Sequence, residues 1–325
     1  MKPLVSIVTP CLNGEKFISN YFDSILNQTY KQIELIFVDD GSTDNTKSIV
    51  KQYIEKFMSV NIKLKYIYQD HGGQAKALKL GLKYVTGKYL IWPDSDDILE
   101  SSSIEKRVDF LEKNNEYGFV RSNGKYVDYK TNKIIGRISN SENRFNSDIF
   151  LDLILENTFC SCGCYMIKTK LLKEIYPTWN LYESSAGQNW QILIPYSAKA
   201  LCGYIDEDLY TIRVRNDSHS NMIRNENESI IRMQELKEIL INSVKISNRT
   251  DKDYISIIDK KYQLKLFMIY YDFGNRYMAD IQYQALKKFN LLDIELYKMY
   301  LRKFHKVRFN LYRPIWQIKK YLKIK

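Results

Sequence analysis

From the N-terminus to about residue 92, short apolar runs alternate with stretches whose apolar residues recur at threes and fours. The runs 4–9, 35–38, 64–68 and 89–92 are rich in β-branched and aromatic residues and predict strands. Between them, Phe17, Tyr21, Phe22, Ile25 and Leu26 share one helical face, Ser42-Thr43-Asp44 marks a helix start before 47–57, and 75–84 carries Leu78 and Leu82 on one side. Strands alternating with helices of this length predict βαβ units around a mainly parallel sheet with flanking helices. After residue 220 the pattern changes to long helical stretches over 228–244, 254–271 and 276–289, with few strand signals and no internal repeat. The chain is thus expected to divide into an α/β part over 1–220 and a helical part over 221–325.

Charge falls on the same boundary. Residues 1–220 hold 27 Lys and Arg against 27 Asp and Glu, whereas 221–325 hold 22 against 11, which is the whole net charge of +11. The last thirty residues carry ten Lys or Arg and no acid. If Pro314 opens a helix there, Leu311, Ile315, Ile318 and Leu322 share a face with Lys319, Lys320 and Lys323 off it. That pattern suits either an anionic bilayer surface or packing against the protein itself.

With 45% hydrophobic and 27% charged residues, 13 Gly and 6 Pro, the composition excludes collagen-like and wholly disordered chains. No apolar stretch reaches the roughly 20 residues of a membrane-spanning helix, and Met1-Lys2-Pro3 leads into the first strand without a signal-peptide pattern, so a cytoplasmic location is expected. The five cysteines, Cys11, Cys160, Cys162, Cys164 and Cys202, are too few for a disulfide framework and are expected to be reduced. Cys160, Cys162 and Cys164 would line one side of an extended strand, lack zinc spacing, and read as buried thiols.

Ligands of parallel sheets sit beyond the carboxyl ends of the strands. Those ends read Thr9-Pro10-Cys11-Leu12-Asn13-Gly14, Asp39-Asp40-Gly41-Ser42 and Pro93-Asp94-Ser95-Asp96-Asp97. Two acidic clusters at neighbouring edges call for a positive partner, and ligation by oxygen alone suits Mg²⁺ or Mn²⁺. An EF-hand is excluded, because Ile98 and Leu99 stand at its fifth and sixth loop positions, the sixth of which requires Gly.

These segments, with Ser24-Ile25-Leu26-Asn27-Gln28-Thr29-Tyr30 and Gly87-Lys88-Tyr89 in the same order and spacing, resemble the family 2 glycosyltransferases. The resemblance implies a nucleotide-binding GT-A fold and sugar transfer from a nucleotide-sugar donor, a UDP-sugar in the first instance. The acceptor would be a hydroxyl or a lipid phosphate, on a saccharide or lipid-linked molecule of a surface polysaccharide or glycolipid. It implies that Asp40 binds the uracil ring with Thr9 and Pro10 beside it, and that Gly73 and Gln74 belong to a donor-facing loop. Asp94 would lie near the ribose, Asp96 would hold the divalent metal, and His219 would make a further metal or diphosphate contact. The family's usual Glu-Asp pair, whose Asp is the catalytic base, is replaced here by Gln188-Asn189 ahead of Trp190. An amide takes no proton near neutral pH. Gln188, Asn189 and Trp190 are therefore expected to bind acceptor, and Glu183 is the nearest carboxylate able to act as base, unless the acceptor is a phosphate that needs none.

Simpler roles stand beside these. Asp39 and Asp40 could form a turn and cap a helix, His219 could be solvated, His71 could be structural, and Glu183 could be a surface carboxylate. The missing pair also leaves room for a nucleotide-sugar-binding protein without catalysis. A Rossmann dehydrogenase is disfavoured for want of Gly-Xaa-Gly-Xaa-Xaa-Gly, a serine esterase for want of Gly-Xaa-Ser-Xaa-Gly, and no nucleic-acid partner is expected despite the basic end.

Overall fold

The computed structural model describes residues 2–183, 187–215 and 224–305. The first part follows the predicted alternation: β1 (Val5–Cys11), α1 (Ile18–Leu26), β2 (Ile33–Asp39), α2 (Thr46–Ser59), β3 (Lys63–Tyr68), α3 (Gln74–Leu82) and β4 (Tyr89–Ile91). Strands β1 and β2 are buried along nearly their whole length because helices cover both faces of the sheet, so burial does not alternate. Helix α1 is held by its apolar stripe and not by a side-chain cap. Its Phe22 packs against Phe37, Tyr53 and Phe57 with ring centroids 5.1–5.6 Å away, a setting in which truncation to Ala typically costs about 3–5 kcal/mol.

The chain continues through β5 (Ile98–Leu99), α4 (Ser103–Lys113), β6 (Tyr117–Asp128), β7 (Ile134–Arg137), α5 (Phe150–Ile154), β8 (Tyr165–Lys168), α6 (Thr169–Ile175), α7 (Gln188–Ser197) and β9 (Leu201–Val214). Among the described residues these strands complete one mixed sheet, in the order β3-β2-β1-β4-β8-β6-β9-β5, with β7 paired to β6. The first four strands are parallel, β8 runs antiparallel to both β4 and β6, and β6 and β9 pair in parallel along most of their length.

The cysteine segment is not extended throughout. Residues Cys162–Cys164 form a 3₁₀ turn that feeds β8. Gly163 lets the ring of Tyr210 lie flat on this turn, since a methyl group there would fall 2.0 Å from Tyr210 Cε2. Cys162 and Cys164 are buried, Cys160 is partly buried, and all three are free thiols.

Four helices follow: α8 (Glu226–Ser247), α9 (Tyr254–Phe273), α10 (Arg276–Lys288) and α11 (Ile294–His305). A capping box between Asn225 and Glu228 starts α8, and Gly274 with φ of 75° ends α9. The sheet's hydrophobic core extends through α7 into Met233, Leu240, Val244, Ile258 and Tyr262 of α8 and α9. A separate small cluster, including Phe267, Tyr283, Leu286 and Tyr300, joins α9 to α10 and α11. No helix among the described residues is long and apolar enough to cross a membrane. The tail from residue 306, with the helix expected after Pro314, lies outside the described residues.

Candidate active site

Because β1 to β4 are parallel, the loops after them gather at one edge. The first two brace each other: Asn13 N–H donates to Ser42 Oγ at 2.8 Å, Thr43 N–H returns a bond to Asn13 Oδ1 at 2.9 Å, and Glu15 N–H donates to Asp44 Oδ2 at 2.9 Å. The third loop is organised by Asp40. Its Oδ1 accepts from Gln69 Nε2 at 2.5 Å and Gly72 N–H at 2.9 Å, and its Oδ2 accepts from Gly73 N–H at 2.8 Å and lies 2.9 Å from His71 Nδ1. Gly73 opens α3 with φ of 89°, which a side chain would resist. Asp39 is equally engaged, taking Ser42 N–H at 2.8 Å and Tyr66 O–H at 2.7 Å. Neither caps α2, whose N-cap residue is Asn45.

The second acidic cluster has different partners. Asp97 is buried and accepts Tyr210 O–H at 2.7 Å and Arg213 N–H at 3.0 Å, both from β9, which the antiparallel pairing of Ile98 with Thr211 brings alongside. Asp94 accepts Gln74 Nε2–H at 2.7 Å and the Cys162 thiol at 3.3 Å. Asp96 accepts Arg215 Nη2–H at 2.7 Å, and its side chain keeps 26% of its surface exposed. Burial, then the charge of Asp96, pushes the Asp94 carboxyl up to about 6. The same two causes raise Asp97 well above the ordinary carboxylate range.

The three carboxylates line a pocket of about 450 Å³ with Tyr126, Cys160, Asn189 and Arg213. Of the three residues expected to bind acceptor, Asn189 alone reaches this wall, where Trp92 Nε1–H donates to its Oδ1 at 3.0 Å. Gln188 is buried beside it, and Trp190 lies outside the lining. Gln74 joins the two clusters, since it follows the loop that Asp40 holds and grips Asp94.

Three of the expected site residues, Thr9, Asp40 and Glu183, have contacts that bear on the roles expected of them. Thr9 is fully buried with its hydroxyl bonded to Tyr21, so its side chain lines no open surface, while Pro10 stays partly exposed next to it. Asp40 is 3% exposed and already has four partners, so a donor's ring N–H would have to displace one of them. Glu183 is 58% exposed, forms an ion pair with Lys79 at 3.0 Å that lowers its carboxyl further, and is absent from the pocket wall. His71, read as structural, is one of the groups on Asp40. His219 lies outside the described residues.

A divalent ion fits here only in part. Among the described residues no three His, Cys, Asp or Glu side chains are arranged to enclose a metal. Asp94 and Asp96 are both partly exposed, Asp96 being paired with Arg215, and Mg²⁺ or Mn²⁺ is commonly held by one or two carboxylates together with phosphate oxygens. Burial first, and then the charge of Asp96, raise the Asp94 carboxyl, and a cation at this wall would favour its ionised form.

Other proteins share this arrangement. A family model described as Glycosyl transferase family 2 matches residues 6–176, more than half of the chain. An uncharacterized glycosyltransferase of Rickettsia prowazekii is 37% identical over 133 residues, 41% of this chain and 40% of that protein. The minor teichoic acid biosynthesis protein GgaB of Bacillus subtilis is 29% identical over 222 residues, 67% of this chain and 24% of that one. The matches thus span less than half the length of these curated relatives. In three dimensions, TarS 1–349 of S. aureus in complex with UDP-GlcNAc superposes with a TM-score of 0.56 at 18% identity, over 93% of this chain and 80% of that one. The mannosyltransferase PcManGT of Pyrobaculum calidifontis, in complex with GDP-Man and Mn²⁺, gives 0.57 at 16% identity, over 99% and 85%. The ordered motifs at the strand ends, the mixed sheet that gathers them and the family match across 6–176 agree, and the chain belongs to glycosyl transferase family 2.

Proposed function

We propose that this chain transfers a sugar from a nucleotide-sugar donor, a UDP-sugar by preference, to an anionic phosphate oxygen of a lipid-linked acceptor at the cytoplasmic membrane face, with inversion at the anomeric carbon. In that reaction the acceptor oxygen bonds to the anomeric carbon while the bond to the diphosphate breaks, and the nucleoside diphosphate leaves with the electron pair. The observation that carries the reading is the acidic pocket at the sheet edge, with Asp96 partly exposed and Asp94 tied through Gln74 to the loop that Asp40 holds. Asp96 and Asp94 would hold Mg²⁺ or Mn²⁺, whose contribution would be to neutralise the charge that builds on the departing diphosphate. Asp40 and Pro10 would border the base, Gly73 and Gln74 the donor, and Asn189 the acceptor.

The choice of a phosphate acceptor follows from proton accounting. The carboxylates on the pocket wall are Asp94, Asp96 and Asp97, each already bonded, and the position of the family's base is the amide Asn189. An ionised acceptor oxygen needs no base. TarS and PcManGT, seen with UDP-GlcNAc and GDP-Man, support a nucleotide-sugar donor, and the name of GgaB supports a cell-surface polymer as destination.

The test is a thermal-shift panel of UDP- and GDP-sugars with Mn²⁺, with and without EDTA, followed by product analysis with phosphate and hydroxyl acceptors. A ligand at a hundred times its Kd stabilises by about 2.7 kcal/mol, and a UDP-sugar should do so only with metal. A shift with no donor would remove the reading, transfer to hydroxyls alone would remove its acceptor part, and binding without transfer or hydrolysis would leave a non-catalytic nucleotide-sugar-binding protein.

A further inference from the structure

Trp92 follows β4 and joins two walls of the acidic pocket. It is 2% exposed, belongs to the sheet's hydrophobic core, and directly precedes Pro93 and Asp94. A residue before proline is confined to extended backbone, and burial holds the ring, so the indole N–H has one direction. It reaches α7, where Nε1–H donates to Asn189 Oδ1 at 3.0 Å.

Asn189 has little freedom of its own. Helix α7 begins after Gly187, whose φ is 75° and which packs so closely on α8 that a methyl there would lie 2.8 Å from Ile239 Cδ1. Within the same first turn, Gln191 is buried and clamps Tyr182: its Oε1 accepts the backbone N–H at 2.6 Å and its Nε2–H donates to the carbonyl at 2.9 Å. With the start of the helix held, the open choice is which end of the Asn189 amide faces the pocket. An indole N–H can only donate, so Trp92 takes the carbonyl end. Nδ2 is then turned away from Trp92; among the described residues no group accepts from it, and it is not shut away from solvent. Asn189 is half-buried and lines the pocket, which therefore receives the donor end of its amide.

The pocket is otherwise poor in free donors. Asp94, Asp96 and Asp97 line it as acceptors, and Arg213 directs Nη2 to Asn132 Oδ1 at 2.9 Å and Tyr129 O at 3.3 Å. An incoming oxyanion is repelled by the carboxylates and depends the more on each N–H it meets, a bond to a charged oxygen being about twice as strong as one to a neutral oxygen. A hydroxyl can accept from Nδ2 as well, but an amide N–H cannot take its proton.

We propose that Trp92 is a specificity-determining residue: by holding the Asn189 carbonyl it presents the amide N–H group to the acceptor, which favours an oxygen already ionised over a hydroxyl. This rests on the phosphate-acceptor reading above and assigns the preference to a buried side chain absent from the pocket wall.

The experiment uses the full chain labelled with ¹⁵N-tryptophan, with UDP and Mg²⁺ filling the donor site. Of the four indole N–H signals, the one lost in Trp92→Phe belongs to Trp92. Asn189→Ala should move that signal upfield, the mark of a lost hydrogen bond. Ethyl phosphate, an ionised acceptor oxygen, should bind the wild type at least about tenfold more tightly than methyl glucoside, which offers hydroxyls alone. Trp92→Phe should weaken ethyl phosphate at least about threefold, the scale of one hydrogen bond, and leave the affinity for UDP with Mg²⁺ unchanged. An indole signal that stays in place in Asn189→Ala, or a smaller loss of ethyl phosphate in Trp92→Phe, removes the assignment to Trp92 alone. Should methyl glucoside bind the wild type as tightly as ethyl phosphate, or ethyl phosphate not bind, the phosphate-acceptor reading falls and takes the preference assigned to Trp92 with it.

Discussion

Two acidic clusters stand at the same edge of one sheet, and they are built in opposite ways. Asp39 and Asp40 are nearly inaccessible, and their oxygens are occupied by N–H and O–H groups of adjoining loops and strands. Their charge is consumed in fixing backbone. Asp94 and Asp97 are pushed up by burial and by the charge of the partly exposed Asp96, which is paired with Arg215. An acid whose lone pairs are filled by its own chain is a structural element, whereas acids that repel one another at a pocket wall are matched to a cation or a cationic complex. On the proposed function, that contrast assigns the metal and diphosphate to Asp94 and Asp96 and leaves Asp40 as the support for the loop that Gln74 links to Asp94.

Neutralising Asp96 should have the largest effect on turnover. Asp96→Asn is expected to lower transfer by about 100- to 1,000-fold, the usual cost of one well-placed electrostatic partner of a leaving group, and to abolish the Mn²⁺ dependence of donor binding while leaving the melting temperature near that of wild type. Asp40→Asn should act instead on stability. One carboxylate oxygen becomes an amide N–H facing donors such as Gly73 N–H or Gln69 Nε2–H, and leaving such a group unsatisfied costs about 1–3 kcal/mol. Denaturant titration of both variants checks the pair, and a fully stable Asp40→Asn would dissolve the contrast.

A pH series sharpens it further. The folded Asp94 carboxyl is raised to about 6 from 3.8, so between these values the native state holds a proton that the unfolded chain has released. Its contribution to stability is complete below pH 4 and is lost as pH rises through 6. The metal- and donor-free protein should therefore lose stability across this interval, and UDP-sugar with Mn²⁺ should remove much of the loss by favouring the ionised form. Thermal melts from pH 4 to 7, with and without ligand, measure it. Identical slopes would show that no cation is received at Asp94–Asp97.

How far the sequence discloses all this depends on how local the cause is. Four strands and three helices in the first ninety residues follow from periodicity, because each buries a stripe its own residues supply. The Asp94-Ser95-Asp96-Asp97 run is equally visible as acids at a strand end. Their partners are not, since Tyr210, Arg213 and Arg215 lie 113 to 119 residues away and arrive only through the pairing of β5 with β9. Strand β9 itself is hidden by Asp206-Glu207-Asp208 in its middle, residues that strands disfavour, and by register shifts in β6 opposite it. For His71 the sequence supports a structural role but not its partner, because the contact with Asp40 depends on the closure of a loop. The 3₁₀ turn at Cys162–Cys164 packs Gly163 against the ring of Tyr210, a contact 47 residues away along the chain that the local pattern does not show.

The smallest expected effect belongs to Glu183, where sequence and structure part most sharply. As a general base, Glu183→Gln would cost about two to four orders of magnitude in turnover. In the structure its carboxylate is largely exposed and engaged by Lys79, which holds it below the usual range and makes it a weaker base, and it is absent from the wall that Asn189 lines. Loss of so exposed an ion pair should leave stability nearly unchanged, and Glu183→Gln should change turnover by less than about twofold. Asn189→Asp is the complementary substitution, made where the acceptor is expected. It places a negative charge beside Asp94, Asp96 and Asp97 and would repel an ionised acceptor, whereas a hydroxyl acceptor would gain a base. Steady-state assays of both variants on a phosphate acceptor should give near-wild-type rates for Glu183→Gln and a reduced rate for Asn189→Asp. The reverse order would return the base to Glu183 and make the acceptor a hydroxyl.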